Sequence, residues 1–478
     1  MCLGDRRIRS HPILEFKRGR EITIFFEGEP LRAFEGESLA AAIYAAGIDV
    51  FRLSPTLKRP RAVFCMVGKC GSCMVRVNGI PTRSCITPAE DGMRVERIND
   101  LPEASKYEKR LVSEEITTDV LIVGGGPAGM ASAEVLCNTD LNVVLVDDQI
   151  RLGGQLIKQT HIFFGSKELF AGRRGFEIAE EYSSKLSKCS NMRIISGATV
   201  VGVFKEGVLA VSDEAKYLIR PKYVVIATGA YENHLVFENN DLPGVMGAGG
   251  AQTLMNVWGV KPGNEVLVVG SGNVGLIISY QLLQAGAEVK AVVEALPRIG
   301  GWFVHAAKIR RYGVPILTSH TILGVNGTRR VEEAVIARVD ENWNVVGGTE
   351  RSVKVDTVLL AVGLTPNTEL VRQFGAATRY IPDLGGLVPL KTPYMETSVE
   401  NVFVAGDLAA IEEATTAFIE GWIAGYSILI KARGEREEYL TKRENLLRML
   451  YEYRSAPVSE KIRRSWQLSL LPCGGVNA

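Results

Sequence analysis

Two segments of this chain repeat one pattern: an apolar strand, a glycine-rich turn, a helix, and a second strand that ends in a carboxylate. TTDVLIVGGGPAGMASAEVL runs into NVVLVDD, and NEVLVVGSGNVGLIISYQLLQAGAEVKAVVE starts at Glu265. Such a turn needs glycine for a tight bend, for close approach of backbone to a pyrophosphate, and for helix–strand contact. Two copies roughly 145 residues apart imply an α/β chain with two Rossmann-like dinucleotide-binding domains in tandem.

In the first copy Gly124 permits the turn, Gly126 admits the pyrophosphate and Gly129 allows packing, while Pro127 and Ala128 open the helix whose N-terminus faces the phosphate charge. Asp147 ends the second strand where a carboxylate would hold a ribose hydroxyl, with Asp148 a rival. Further along come Gly153-Gly154-Gln155, a strand ending Ala227-Thr228-Gly229, and NVFVAGD, which sets Gly406 and Asp407 at a strand end. These resemble the elements of disulfide-reductase-like flavoproteins, in which the late Gly-Asp approaches the ribityl chain and pyrophosphate of FAD. An NAD-only fold is the alternative, and it would not need the late Gly-Asp. In the second copy, Gly270, Gly272, Asn273, Val274 and Gly275 form the turn and Glu294 ends the strand. A carboxylate there accepts the ribose 2′-hydroxyl of NAD(H) and repels a 2′-phosphate. Arg298 lies nearby, and a retained fold with an empty pocket is the competing reading. Neither domain carries a C-x-x-C or C-x4-C pair in its strand–helix segments, so a thiol relay of the thioredoxin-reductase type is excluded.

The segment before these repeats is chemically different. Cys65, Cys70, Cys73 and Cys85 are spaced C-x4-C-x2-C-x11-C, the plant-type arrangement for a [2Fe–2S] cluster. Gly68 and Gly71 let the loop fold around an inorganic core, and the Asn78-Gly79 turn reverses the chain so that Cys85 can reach it. A structural zinc site also accepts four thiolates but usually shows two C-x2-C knuckles. Around the cysteines, EITIFFEGEPLRA reads as a hairpin, SLAAAIYAAG as a helix capped by Ser38 and stopped at Gly47, and Met74–Val77 as a strand. That order predicts an N-terminal β-grasp ferredoxin-like domain.

The expected organisation is a basic arm over 1–20, frayed and solvated; the ferredoxin-like domain over 21–98; and a charged linker over 99–115. The FAD-binding domain follows over 116–240 and 366–430, interrupted by the NAD-type domain over 241–365. A C-terminal helix from Lys431 to Arg454 and a disordered LPCGGVNA tail complete it over 431–478. With 55 basic and 54 acidic residues the net charge is +1, which offers nothing to nucleic acid. No apolar run is long enough for a membrane span and no signal peptide is visible, so the expected location is cytoplasmic. In that setting eight cysteines imply metal ligation or free thiols rather than disulfides; Cys2, Cys137, Cys189 and Cys473 stand apart from the cluster. His11, His161, His234, His305 and His320 read as structural or surface residues, and Trp302 and Phe303 as packing residues. No general base can be nominated.

VLIVGGGPAGM, VDDQIRLGGQL, VVIATGAYENHLVFENNDLPGVMGAGGAQTLMN and VFVAGDLA together resemble the α subunit of heteromeric amine and imino-acid dehydrogenases. That group includes dye-linked L-proline and hydroxyproline dehydrogenases, opine oxidase, hydrogen cyanide synthase and sarcosine oxidase. Leu235–Met255 is the most distinctive stretch. The resemblance implies a hetero-oligomer in which an FAD-containing β subunit oxidises a C–N bond and electrons reach this chain for an external acceptor. It also implies FMN at the subunit interface in some members and NAD or ATP in place of FAD in others. Members that append a cysteine-rich C-terminal domain have no counterpart here before Ala478; the resemblance offers a separate small ferredoxin-like subunit, or none. The alternative function is a self-sufficient NADH:acceptor reductase of diaphorase or ferredoxin-reductase type, favoured by the complete second glycine motif. A scaffold with vestigial pockets is the third.

Overall fold

The computed structural model describes residues 5–100, 111–163, 167–455 and 460–472. The chain folds into two compact units, one built from 1–107 and 232–363, the other from 108–231 and 364–478.

In the first unit, strands Glu21–Phe26 and Glu29–Phe34 pair antiparallel around a turn at Glu27-Gly28, both at positive φ (55° and 84°). A two-residue turn of that hand matches strand twist, so Glu-Gly specifies the hairpin. The Ser38 hydroxyl accepts from Ala41 N–H at 3.2 Å and caps the buried helix Leu39–Ala45. The strand Arg94–Arg97 pairs parallel to the first strand and antiparallel to Met74–Val77, giving a five-stranded β-grasp sheet. The same unit contains a five-stranded parallel sheet ordered Val245–Gly247, Thr357–Leu360, Glu265–Val269, Glu288–Glu294, Ile316–Thr318. The two sheets share one hydrophobic core, in which Ile24, Leu39, Val75 and Val95 belong with Leu254, Val266, Leu276 and Leu282.

The second unit holds a seven-stranded sheet in which Val143–Asp147, Val112–Val123, Ala215–Ile226 and Val402–Val404 are successive parallel neighbours. Helix Pro127–Leu136 packs on helix Ala414–Arg433 so closely that a Cβ on Gly421 would sit 2.2 Å from the Ala128 carbonyl oxygen. Ser132 Oγ donates to the Gly421 carbonyl at 2.7 Å.

Several expectations are corrected. The basic arm is tied down in part: buried Arg7 pairs with buried Glu37 at 2.7 Å and Arg6 with Asp49 at 2.7 Å, while Arg9, Lys17 and Arg20 are exposed. The expected linker is strand from Val112, because its charges become cross-strand pairs such as Arg220–Glu115 at 2.7 Å; 101–110 lie outside the described residues. Helix Ala414–Arg433 stops at Gly434 (φ 81°), and a new helix, Glu437–Arg454, replaces the continuous one expected from Lys431. Leu471 N–H donates to Lys391 O at 2.9 Å, and Cys473 to Ala478, like Cys2, lie outside the described residues. Cys137 and Cys189 form a disulfide, contrary to the thiol expectation. They sit past the ends of helices Pro127–Leu136 and Gly175–Leu186 with Cα atoms 5.4 Å apart, within disulfide reach despite a sequence separation of 52.

Candidate functional site

The two glycine turns are built by the same hydrogen bonds. Gly124 N–H donates to Val146 O at 2.8 Å and Gly270 N–H to Val293 O at 2.7 Å. Both glycines hold positive φ (106° and 102°), and a Cβ would lie 2.3 Å from Ala227 O in the first and 2.2 Å from Ala361 O in the second. Gly129 and Gly275 bring each helix onto its own turn: a Cβ there would sit 1.8 and 2.0 Å from the carbonyl oxygens of Gly124 and Gly270. The middle glycines differ in kind. Around an added Cβ on Gly126 the nearest atom is 3.9 Å away, and around one on Gly272 nothing lies within 4 Å. Bare backbone facing open space at a helix start is what a pyrophosphate requires, so both turns fit a dinucleotide. Pro127 and Ala128 begin the first helix; Asn273 and Val274 begin the second, with Asn273 Oδ1 accepting from Trp302 N–H at 2.8 Å.

Each strand-end acid folds back onto its turn. Asp147 accepts from Gly125 N–H and, at 2.7 Å, from Gln149 N–H. Glu294 accepts from Ser271 N–H (2.9 Å), Ser271 Oγ (2.7 Å) and Leu296 N–H (3.0 Å). Burial, reinforced by the neighbouring Asp148 charge, pushes the Asp147 carboxyl up to about 7 against its backbone donors. Asp148 accepts from the Gln149 amide at 2.8 Å. The double-glycine loops also correspond: Gly153 N–H donates to Gly125 O and Gly301 N–H to Ser271 O, both at 2.8 Å. A Cβ on Gly154 would press within 2.8 Å of the Gly126 Cα; Gln155 beside it is exposed.

Thr228 and Gly229 end the first half. Thr228 Oγ1 donates to Asn367 O (3.1 Å), and Asn367 returns its side-chain amide to Thr228 O (2.9 Å) and its N–H to Gly229 O (2.9 Å). Gly406 and Asp407 follow the strand Val402–Val404, and the Gly406 N–H is held by Glu420 at 2.9 Å. Desolvation, helped by the charges of Glu420 and Glu412, pushes Asp407 up to about 7. Glu420 (2% exposed) in turn receives Arg454 (1% exposed) at 2.8 Å. Sequence reasoning misses Asn367, Glu420 and Arg454, because their partners lie up to 139 residues away and no spacing marks them.

The cysteine loop gathers its four sulfurs. Cys65 lies within hydrogen-bond reach of Cys70 and Cys85, and Cys73 within reach of Cys85. Cys65, Cys73 and Cys85 are buried, while Cys70 is exposed. Backbone donors point at sulfur: Gly68 N–H to Cys85 (3.3 Å), Cys70 N–H to Cys65 (3.5 Å) and Ser72 N–H to Cys70 (3.4 Å). Four clustered cysteine sulfurs with N–H donors aimed at sulfur fit a [2Fe–2S] cluster.

Trp302 and Phe303 are 45% and 78% exposed, so they are not core packing; they start the helix Phe303–Arg311 on the surface. Of the histidines, His305 is buried, His234 packs tilted against Phe64 (4.5 Å), His161 stacks on Phe163 (5.7 Å), and His11 and His320 bind nearby backbone. Among the described residues no helix is long and apolar enough to cross a membrane.

Residues 118–421 match the pyridine nucleotide-disulphide oxidoreductase family and residues 19–100 a 2Fe-2S iron-sulfur cluster binding domain. The chain is similar to sarcosine oxidase subunit alpha of Corynebacterium sp. (strain U-96), at 25% identity over 84% of this chain and 43% of that one. It is also similar to hydrogen cyanide synthase subunit HcnB of Pseudomonas aeruginosa, at 29% identity over 69% of this chain and 76% of that one. Among solved structures it is similar to L-proline dehydrogenase from P. horikoshii, with a TM-score of 0.68 and 27% identity, over 91% of this chain and 79% of that one. The chain thus spans less than half the length of the sarcosine oxidase subunit.

Proposed function

The chain belongs to the pyridine nucleotide-disulphide oxidoreductase family, carrying a 2Fe-2S cluster binding domain, and from that premise we propose that it is the electron-transfer subunit of a heteromeric amino- or imino-acid dehydrogenase. The observation that carries this reading is one chain joining two dinucleotide turns to a four-cysteine loop, while the Cys137–Cys189 pair lies past the far end of the helix that follows the first turn. Bound FAD would supply the ability to accept an electron pair and release electrons singly, and the [2Fe–2S] cluster would carry them one at a time.

The chain's own residues prepare these sites. Gly124 and Gly129 close the turn onto its strand and helix, Gly126 leaves room for a pyrophosphate at the helix N-terminus, and Asp147 offers a carboxylate to a ribose. Glu420 and Arg454 fix the Gly406–Asp407 turn, and Asn367 fixes Thr228-Gly229. Cys65, Cys73 and Cys85 exclude water from most of the cluster site, and exposed Cys70 marks the side an external acceptor would approach. Relatives whose names make them subunits of sarcosine oxidase and hydrogen cyanide synthase support a hetero-oligomer; the partner in this reading is an amine-oxidising flavoprotein with its own FAD. Affinity-tagged chain is then expected to co-purify with such a flavoprotein and to show amino- or imino-acid dehydrogenase activity only with it. Full activity from the isolated chain would sink the proposal.

A second reading rests on the geometry at Glu294, whose Ser271 contacts preserve a complete second turn: a self-sufficient NADH:acceptor reductase. It requires NADH to bleach the flavin of the isolated chain. No bleaching removes it.

A further inference from the structure

The most distinctive stretch of the sequence, Leu235–Met255, contributes none of the glycines or acids of either turn. Its residues are accounted for by something else. The Asp241 carboxylate accepts Arg59 through both oxygens (2.7 to 3.0 Å) and Arg61 at 2.7 Å, and both arginines lie a few residues before Cys65. Asn239 accepts from Arg59 at 2.9 Å and donates to Val325 O at 3.0 Å, tying that clamp to the second nucleotide domain. Gly247 N–H donates to the carbonyl of Phe64, the residue before Cys65, at 3.2 Å. Gly250 touches the same oxygen: a Cβ there would lie 2.1 Å from it. The Phe64 ring packs tilted against His234, with centroids 4.5 Å apart. Gln252, at the end of the short helix Ala248–Gln252, donates to Gln281 at 2.8 Å and fastens this surface to the helix Asn273–Gln284 that follows the second turn.

We infer that Leu235–Met255 is the seat of the iron–sulfur loop, with Asp241 and Gly250 as positioning residues for the cluster. The partner the seat fits is intramolecular: the Arg59-Pro60-Arg61 segment and the main-chain carbonyl immediately before the first cysteine ligand. Gly250 is glycine because the loop backbone occupies the space of its side chain. Asp241 is acidic because two guanidiniums meet there, and an Arg–carboxylate pair with both oxygens engaged fixes orientation as well as distance. The inference rests on the reading of the four cysteines as cluster ligands.

The test uses the full chain with its cluster reconstituted, as wild type, Asp241→Asn, Gly250→Ala, Asp241→Glu and Asn240→Ala. Asn240 binds the Leu235 carbonyl at 2.9 Å and serves as a structural control inside the same stretch. The readouts are the EPR and visible circular dichroism of the cluster, its midpoint potential, and the rate of iron loss to a chelator, alongside thermal melting. Asp241→Asn and Gly250→Ala are expected to shift the spectra and potential and to speed iron loss about tenfold, equivalent to ~1.4 kcal/mol. Asp241→Glu restores part of the effect, and Asn240→Ala alters melting alone. If both positioning variants melt lower but keep wild-type spectra, potential and iron retention, the segment is merely structural and the inference fails. Wild-type chain that takes up neither iron nor sulfide would instead overturn the cluster reading, and the inference with it.

Discussion

Asp147 is held between opposed influences: burial favours its neutral form while two backbone N–H groups favour the charged one, and burial prevails, raising it to about 7. A carboxyl raised on folding binds its proton more tightly in the folded state. Its contribution to stability is present below the unfolded value near ~4 and is lost as pH rises through about 7. Ligand binding runs the other way, because a ribose hydroxyl donates to the ionised form. Nucleotide affinity at the first site is therefore expected to fall as pH drops from about 8 to about 6, either side of that value, read by fluorescence titration. Asp147→Asn is expected to flatten that dependence. A flat profile in the wild type would rule out Asp147 as the ribose partner. This residue was legible in sequence because its requirement is local, one carboxylate at a strand end. Asn367 was not, because its role exists only once Thr228 and Gly229 are folded against it.

Elements differ in the same way. The hairpins were readable from Glu27-Gly28 and Asn78-Gly79, whose positive φ is a local demand, and the helix at Leu39 from its Ser38 cap. The strand from Val112 was obscured because Glu114 and Glu115 look like linker charges until Arg193 and Arg220 lie opposite. Two elements near the first turn are tied by features that no spacing reveals. The Cys137–Cys189 disulfide joins the ends of helices Pro127–Leu136 and Gly175–Leu186. Closing a loop of that length contributes about 4 kcal/mol in the chain-entropy treatment. The double variant Cys137→Ala/Cys189→Ala should then lower the melting transition in calorimetry, and an unchanged melt would show the bond carries no stability. Arg454, at the end of helix Glu437–Arg454, is buried against Glu412 and Glu420. Removing it by Arg454→Met strands two buried carboxylates at a cost of about 3–5 kcal/mol. Because Glu420 also holds Gly406 N–H, the variant should lose first-site cofactor on gel filtration while cluster absorbance persists. Glu420→Gln, which keeps an acceptor for that N–H, should retain more cofactor than Arg454→Met; equal retention would uncouple the pair from the turn.

For the whole molecule, the sequence predicts a ferredoxin-like domain separate from an FAD-binding domain that the NAD-type domain interrupts, whereas packing joins 1–107 with 232–363. The ferredoxin-like sheet and the second nucleotide sheet share a core in which Ile24, Val75, Leu254 and Leu276 are fully buried, and the N-terminal arm reinforces it through Ile8 N–H to Gly259 O at 2.7 Å. Sequence could not disclose that sharing, because the apolar faces of both parts read equally well as private cores. A shared core makes separate melting of the two parts unfavourable: unfolding either would expose the apolar surface of the other, at about 25 cal/mol for each Å² uncovered. Removing iron should therefore act beyond the cysteine loop. In hydrogen exchange followed by mass spectrometry, chelated chain is expected to lose protection in strands Glu265–Val269 and Glu288–Glu294 together with Glu21–Phe26 and Met74–Val77. Strands Val143–Asp147 and Ala215–Ile226, in the other unit, should keep theirs. Loss confined to the ferredoxin-like strands would mean that the cysteine domain folds independently and only rests on its neighbour. Joint loss would mean that whatever stabilises the cluster also stabilises the second nucleotide turn, so that ligand at Gly270–Gly275 should in turn tighten iron retention at equilibrium by thermodynamic reciprocity.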